Sequence, residues 1–201
     1  MQKSIQIYLL LFVALALIGV SGSLLYPKET LSVWIAGHRF ALANSFFIYV
    51  TKLGEWYPFS WLFVWLLAKK EWQIAARLSV LVVGAIVLAN TLKDYFHHER
   101  PSLYMSFHNN HIEDLGQIPG VVFLDGSSSF PSGHTLGAFT LFTFIALYTS
   151  QQKTAFLWLL PAVLVGVSRI YLGHHFLEDV VFGAFLGVVW AFLLGFRLQK
   201  H

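Results

Sequence analysis

Long runs of apolar residues dominate this chain and limit what it can fold into. The runs at 5–25, 74–92 and 176–196 are about as long as the roughly twenty residues that a helix needs to cross a bilayer. Hydrophobic residues make up 57% of the chain and charged residues 11%, and the mean hydropathy is +0.65. In soluble globular proteins about a quarter of the residues are charged. The lower charged fraction and the high hydropathy of this chain predict an integral membrane protein.

Three shorter apolar stretches, at 56–68, 130–148 and 155–167, bring the expected number of spans to six. The segment 31–52 mixes apolar and charged residues, which is typical of an interfacial amphipathic helix followed by a turn. Residues before Glu55 are candidates to lengthen the span at 56–68. We therefore predict an all-α, six-transmembrane-helix bundle, formed by a single domain over residues 1–201, with an extracytoplasmic loop or lid region over the active site.

The distribution of Lys and Arg predicts the orientation of this bundle. With six spans, both termini lie on one side of the membrane. Seven basic residues fall on that side, against three on the other side that do not belong to a candidate site. Because cytoplasmic loops carry the excess of Lys and Arg, we expect both termini in the cytoplasm of a plasma-membrane protein. The seven are Lys3, Lys69, Lys70, Arg77, Lys153, Arg197 and Lys200, and the three are Lys28, Arg39 and Lys52.

Polar residues concentrate at three places on the predicted extracytoplasmic face. Lys93 and Arg100 are seven residues apart, which puts them on one face of an extended third helix. Ser132 is a typical helix N-cap, and Gly133 allows close approach to the amides of the helix that follows. The third place contributes Arg169. Three cations and a helix N-terminus on one membrane face predict a phosphate-binding pocket.

The stretch 168–179 also carries histidines and carboxylates between two apolar runs, where ionisable groups mark functional sites. His175 and Asp179 are four residues apart, so Asp179 can orient the imidazole if the last helix begins there. His174 and Glu178 have the same spacing, and spacing alone does not choose between the two pairs. His134, at the mouth of the amide pocket, is positioned to protonate a leaving oxygen.

These residues resemble the three-part signature of the type 2 phosphatidic acid phosphatase superfamily, which includes bacterial lipid phosphatases of the phosphatidylglycerophosphatase B kind. The family's usual proline between its nucleophilic histidine and its aspartate is replaced here by Leu177. The order of the three parts and their placement at helix ends also fit the family. The matching residues are Lys93 and Arg100-Pro101, then Pro131-Ser132-Gly133-His134, then Ser168-Arg169, His175 and Asp179.

The resemblance implies a metal-independent lipid phosphatase that forms a phosphohistidine and needs no cofactor. It implies that His175 attacks phosphorus, that Asp179 orients it, and that His134 protonates the leaving lipid oxygen. It therefore favours the His175–Asp179 pair over its neighbours. The expected substrate is phosphatidylglycerophosphate, with undecaprenyl pyrophosphate second, and the lipid tails are expected to enter sideways between helices. The residues implied to hold the phosphate are Lys93, Arg100, Ser132, Gly133 and Arg169.

Other interpretations use the same residues. The three cations also suit a lipid phosphotransferase or a non-catalytic transporter of an anionic lipid, and lysines and arginines at a membrane surface often extend towards lipid headgroups. His97, His98 and His108 with Glu99 are candidate zinc ligands. Lipids of the membrane are the expected partners, and no cluster of Lys and Arg predicts binding of nucleic acid. The oligomeric state is left open.

Overall fold

The computed structural model describes residues 2–109, 112–124, 126 and 128–195, and these residues form helices joined by turns and loops without a strand. This confirms the predicted all-α class. Short 3₁₀ turns precede two of the helices: Thr51–Gly54 precedes α4, and Ala155–Trp158 leads into α8. The helices are α1 (Lys3–Leu25), α2 (Thr30–Gly37), α3 (Ala41–Val50), α4 (Trp56–Ala68), α5 (Trp72–Phe96), α6 (Pro101–Tyr104), α7 (Gly133–Tyr148), α8 (Leu159–Tyr171) and α9 (Leu177–Gly195).

Among the described residues, three helical segments are long and apolar enough to cross a membrane: Lys3–Leu25, Trp72–His108, which begins with α5 and extends past α6, and Leu177–Gly195. Three further apolar helices, at the remaining predicted spans, are shorter. The count of six spans therefore stays a prediction, since three helices meet the length expected of a crossing. Phe196, where the last span was predicted to run, and Arg197 and Lys200, which entered the orientation argument, lie outside the described residues.

The structure corrects two predicted boundaries. The segment 31–52 contains two helices, α2 and α3, and the turn that follows them, where one helix was expected. Glu55 has an extended backbone and forms the N-cap of α4, so the residues before it do not lengthen that helix. The chain changes direction at Glu55 because the preceding residues already form the 3₁₀ turn.

The prediction that Lys93 and Arg100 share one helix face is wrong. Helix α5 ends at Phe96, and His97 adopts a left-handed conformation with φ 49°. Arg100 has an extended backbone at the start of α6, because the residue before a proline, here Pro101, disfavours the helical region. Arg100 therefore approaches the site from a loop, while Lys93 approaches from a helix.

Helix α7 lies at the centre of the bundle and packs against α5, α8 and α9. It is apolar on all sides, as expected of a helix that is surrounded by protein. Its buried side chains divide between two core clusters: Phe139 and Phe142 pack towards α1 and α8, while Leu141 and Phe144 pack towards α4 and α5. The helices that carry Lys93, Arg169 and Asp179 are therefore packed on α7, which itself carries Gly133 and His134.

The contact between α7 and α9 is unusually close because α9 presents glycines to it. A Cβ on Gly187 would lie 2.5 Å from the carbonyl oxygen of Leu136, and one on Gly183 would lie 2.8 Å from that of Ser132. The hydroxyl of Thr140 donates a hydrogen bond to the carbonyl of Gly187 at 3.4 Å. Small residues at such interfaces allow helix backbones to approach each other in membranes.

We expect Gly187→Ala to destabilise the protein, because the added methyl group must push α9 away from the backbone of α7. Overpacking of this kind costs about 1–3 kcal/mol. Gly37→Ala is the matched control, since a Cβ at Gly37 meets nothing within 4 Å. Thermal unfolding of both variants in the same detergent measures the difference. A Gly187→Ala protein as stable as the control would contradict the tight α7–α9 contact.

Candidate active site

His175 and Asp179 form a buried pair between α8 and α9. The Nδ1 atom of His175 lies 3.3 Å from Oδ2 of Asp179, and the two side chains are 3% and 1% exposed. The backbone amide of Phe176 donates to the same carboxylate oxygen at 2.9 Å. A carboxylate beside Nδ1 holds the proton on that nitrogen, which leaves Nε2 with a free lone pair. The predicted contact between His175 and Asp179 is thus present.

The alternative pair of equal spacing has a different environment. The Nε2 atom of His174 lies 3.3 Å from the backbone carbonyl of Val122, in the loop over the site. Helix α9 begins only at Leu177, so neither histidine is part of a helix. The two pairs therefore differ in geometry, although the residues of each pair are four positions apart. Among the two candidate pairs, His175 with Asp179 is the one joined by a side-chain hydrogen bond.

Ser129 completes this group, and sequence reasoning missed it. Its hydroxyl donates to Oδ2 of Asp179 at 2.5 Å and lies 3.3 Å from Nδ1 of His175. Its amide donates to the carbonyl of His98 at 2.9 Å, which fixes the loop that carries it. The residue is fully buried. A single serine has no chemical signature in a sequence. The one signal that could have found Ser129 is its position three residues before Ser132, close to the predicted anion site.

The N-terminus of α7 forms the second part of the site. Ser132 is its N-cap, as predicted, and its side chain accepts from the amide of Thr135 at 3.4 Å. The amide of Ser132 itself donates to the carbonyl of Asp179 at 3.0 Å. The next two amides belong to Gly133 and His134, and helix geometry leaves such first-turn amides without a partner inside the helix. These two amides are the ones suited to an anion.

Lys93 lies directly beside this helix end. Its Nζ atom is 3.7 Å from the position that a Cβ on Gly133 would take. A side chain at position 133 would therefore stand between the ammonium group and the helix N-terminus. Glycine keeps this space open for a bound group.

The two arginines reach the site from different elements, Arg100 from the loop before α6 and Arg169 from α8. Arg100 donates to the carbonyl of His174 at 3.2 Å, and Arg169 donates to the hydroxyl of Thr51 at 2.7 Å. The Nε atom of Arg169 is buried, and the described part of the chain offers it no hydrogen-bond partner. A buried guanidinium with a free donor is well suited to an anion. Thr51, in the turn before α4, is a second site residue that sequence reasoning missed.

The environment keeps the imidazole of His175 neutral. Burial lowers its pKa well below the usual value, and repulsion from Arg169, Arg100 and Lys93 lowers it further. A neutral imidazole has the lone pair that a nucleophile or base needs. The three cations therefore act on His175 electrostatically, although they come from α8, a loop and α5.

His134 occupies the more open side of the site. Its side chain is 35% exposed, and its Nε2 atom lies 3.9 Å from a carboxylate oxygen of Glu55, beyond hydrogen-bond distance. Glu55 stands at the start of α4 and also borders a cavity between α4 and α5. Sequence reasoning did not identify Glu55 as a site residue.

A loop covers the turn that carries His174 and His175, in the region where a lid was predicted. The ring of Phe123 lies 3.2 Å from the position of a Cβ on Gly173. Arg39 joins this loop to α8, because it donates both to the carbonyl of Leu115 and, at 2.5 Å, to that of Tyr171. His111, which falls in the same predicted loop, lies outside the described residues.

The prediction that His97, His98, His108 and Glu99 together bind zinc is wrong, because these side chains do not form one cluster. His108 contacts Glu99 at 3.0 Å, whereas His98 lies beside the carboxylates of α9. The left-handed residue at position 97 turns the chain after α5, so the neighbouring histidines face different surroundings.

The sequence matches the PAP2 superfamily over residues 72–199, which is more than half of the chain. It is 39% identical over 98 residues to the bacitracin transport permease protein BcrC of Bacillus licheniformis, covering 47% of this chain and 47% of that one. It is 32% identical over 136 residues to phosphatidylglycerophosphatase B of Bacillus subtilis, covering 63% and 58%. The chain thus matches about half of the length of these two relatives.

Two further comparisons cover most of the chain. Identity is 30% over 201 residues with the undecaprenyl-diphosphatase of Sulfolobus acidocaldarius, covering 96% of this chain and 88% of that one. The fold is similar to the crystal structure of the first transmembrane PAP2 type phosphatidylglycerolphosphate phosphatase from Bacillus subtilis, with a TM-score of 0.69 and 25% identity. That likeness covers 100% of this chain and 98% of that one.

Proposed function

Because the chain belongs to the PAP2 superfamily, we propose that it removes the terminal phosphate of phosphatidylglycerophosphate in the membrane. The observation that carries this proposal is a cavity of about 200 Å³ between α4 and α5. Lys93, Gly133 and Glu55 border its polar end, beside the candidate active site. Asn90 also lines the cavity, and its remaining side chains are apolar: Trp56, Phe59, Val82, Ala85, Ile86, Ala89 and Leu136.

A cavity with one polar end and apolar walls suits a lipid phosphate better than a soluble ester. The phosphate would rest near Lys93 and Gly133, and the lipid tail would leave between α4 and α5 into the hydrocarbon. Ile86 lies on this path, and its side chain is 56% exposed on the outer surface of the helices. This arrangement supports the proposal that the lipid enters from the side of the bundle, as expected from the sequence.

In the proposed first step, Nε2 of His175 attacks phosphorus while the bond from phosphorus to the lipid oxygen breaks. Asp179 accepts the hydrogen bond from Nδ1 throughout and stabilises the positive charge that develops on the ring. His134, which would take up a proton as the negatively charged phosphate binds beside it, gives that proton to the departing lipid oxygen. The charge on the phosphoryl oxygens is stabilised by fixed cations and amides, which need no reorganisation during the reaction.

In the proposed second step, water attacks the phosphohistidine and the bond from phosphorus to nitrogen breaks. His134, now neutral, accepts a proton from the water. Inorganic phosphate leaves, and His175 returns to its neutral form with the proton still on Nδ1. Lys93, Arg100, Arg169 and the amides at the start of α7 hold the phosphoryl group in both steps, so the mechanism requires no metal ion.

Undecaprenyl pyrophosphate is the second candidate substrate. The similarity to the Sulfolobus acidocaldarius undecaprenyl-diphosphatase favours it, because that match extends over nearly the whole chain. The same nucleophile and cations would act on the terminal phosphate of a diphosphate lipid. For either lipid, we propose that both termini are cytoplasmic and that the active site faces the extracytoplasmic side, from the distribution of Lys and Arg.

Purified protein in detergent with excess EDTA is expected to release phosphate from phosphatidylglycerophosphate, and His175→Ala is expected to release none. His174→Asn is the matched control: it is expected to keep activity, because His174 contacts a loop carbonyl. Loss of wild-type activity in EDTA would contradict the metal-independent mechanism. Loss only in His174→Asn would contradict the choice of nucleophile. Release from undecaprenyl pyrophosphate alone would favour the second substrate, and capture of phosphate by an added alcohol would indicate a phosphotransferase.

Ile86→Trp is expected to obstruct the lipid path without touching the catalytic groups. KM for the long-chain lipid should rise about tenfold, as for other small steric changes in apolar sites, while hydrolysis of the soluble ester p-nitrophenyl phosphate stays unchanged. Val87→Trp is the control, since Val87 is equally exposed and does not line the cavity. Equal effects of both substitutions on the lipid would argue against entry between α4 and α5.

Ser129→Ala is expected to lower kcat and leave KM for the lipid nearly unchanged, because Ser129 acts on Asp179 and His175 and does not touch the lipid. Loss of a buried hydrogen bond to a charged group costs about 1.5–3 kcal/mol, which is roughly a tenfold to hundredfold loss of rate. Ser129→Cys, which restores a weak donor, should recover part of the rate. Ser128→Ala is the control. A rise in KM with unchanged kcat would contradict the positioning role.

A further inference from the structure

A second group of polar side chains lies on the outer side of the candidate active site. His98, Glu178 and Asp179 each place one potential ligand atom within 4.8 Å of the other two. His98 is exposed and Glu178 is partly buried, while Asp179 is fully buried. The group therefore opens to solvent and reaches down to the carboxylate that holds His175.

The two oxygens of Asp179 have different surroundings. Oδ2 is occupied by the hydroxyl of Ser129, the ring of His175 and the amide of Phe176. Oδ1 is buried, and no hydrogen-bond partner for it exists in the described part of the chain. A buried acceptor without a partner is costly, by about 1–3 kcal/mol. Oδ1 is thus the oxygen of this carboxylate that is available as a ligand atom, and the carboxylate lies beside His98 and Glu178.

The ring of His98 is held in place beside these carboxylates. It packs on the rings of Phe96 and Phe130, with centroids 5.8 Å and 5.0 Å away. The backbone carbonyl of His98 accepts from the amide of Ser129. This anchoring is independent of any ligand, so the imidazole is already close to the position that a metal site would need.

We infer that His98, Glu178 and Asp179 form an inhibitory binding site for Zn²⁺. Zinc binds one imidazole and two carboxylates with a water as fourth ligand, at roughly 2.0–2.2 Å from each atom. The three ligand atoms lie within 4.8 Å of one another, and zinc binding would draw them closer, chiefly by rotation of the partly buried Glu178 side chain towards the anchored His98 ring. The two carboxylates give the site a net negative charge, and Lys28, which lies over the ring of Tyr104 at 3.6 Å, is a neighbouring cation.

The consequence for the reaction follows from the shared carboxylate, and this part rests on the proposed function. A cation on Oδ1 draws negative charge away from Oδ2, so Asp179 holds the ring of His175 less strongly. The positive charge that develops on the ring during attack is then less stabilised. Zinc bound on the outer side would therefore slow phosphate release without occupying the phosphate pocket.

Binding is tested first and does not depend on activity. The full chain in detergent, freed of metal with a chelator and free of phosphate, is dialysed against Zn²⁺ alone. We expect wild type and the control His108→Asn to bind one more zinc ion per chain than His98→Asn and Glu178→Gln. The control removes the separate His108–Glu99 contact. Equal binding by all four proteins would overturn the site.

Inhibition is tested with the same four proteins and the lipid substrate. His98→Asn and Glu178→Gln should keep basal activity, and the zinc concentration for half-inhibition should rise at least about tenfold in both, as for other lost metal contacts. EDTA should restore the inhibited wild type. A wild type that binds zinc at this site and stays fully active would overturn the inhibitory role. Absence of phosphate release from every protein would count against the proposed function, while the dialysis result still decides whether the site exists.

Discussion

The close approach of α9 to α7 is the contact on which the rest of the site depends. Gly183 and Gly187 let the two backbones meet, and the amide of Ser132 bonds the carbonyl of Asp179 where the two helices begin. This places the start of α9, with its carboxylate, against the start of α7, with its free amides. The amides suited to an anion and the carboxylate that holds His175 are thus fixed by one helix–helix contact.

The charged groups of the site are mostly positive, and this arrangement suits an anion. Burial lowers the pKa of His175, repulsion from Arg169, Arg100 and Lys93 lowers it further, and Asp179 is the buried carboxylate in contact with its ring. Each arginine has a neutral oxygen partner, from a carbonyl or a hydroxyl, which orients the guanidinium without neutralising it. A phosphate group would supply the negative charge that balances these cations. Such preorganised cations are what phosphoryl transfer requires, since its transition state spreads charge over three oxygens.

Rules that relate residues close together in the chain predicted part of the site. The site residues that they did not predict are positioned by contacts between distant parts of the chain. Ser132 as an N-cap and His175 beside Asp179 follow from the residues near them in the chain. Ser129 and Thr51 act on partners 50 and 118 positions away, and no spacing rule reaches that far. The shared helix face of Lys93 and Arg100 failed because a left-handed residue, unfavourable outside glycine, ended α5 early. Arg100 still reaches the site, because it extends from a loop and donates a hydrogen bond to the carbonyl of His174.

The position of His134 gives a physical reason for the role assigned to it. In-line displacement at phosphorus needs the nucleophile and the leaving group on opposite sides of the phosphoryl group. His175 is buried at the closed side of the site, against Asp179 and Ser129. His134 is the more exposed histidine and faces Glu55, which borders the cavity between α4 and α5. In the proposed mechanism, a lipid whose tail filled that cavity would place its phosphate beside Lys93 and Gly133 and would present its leaving oxygen towards His134.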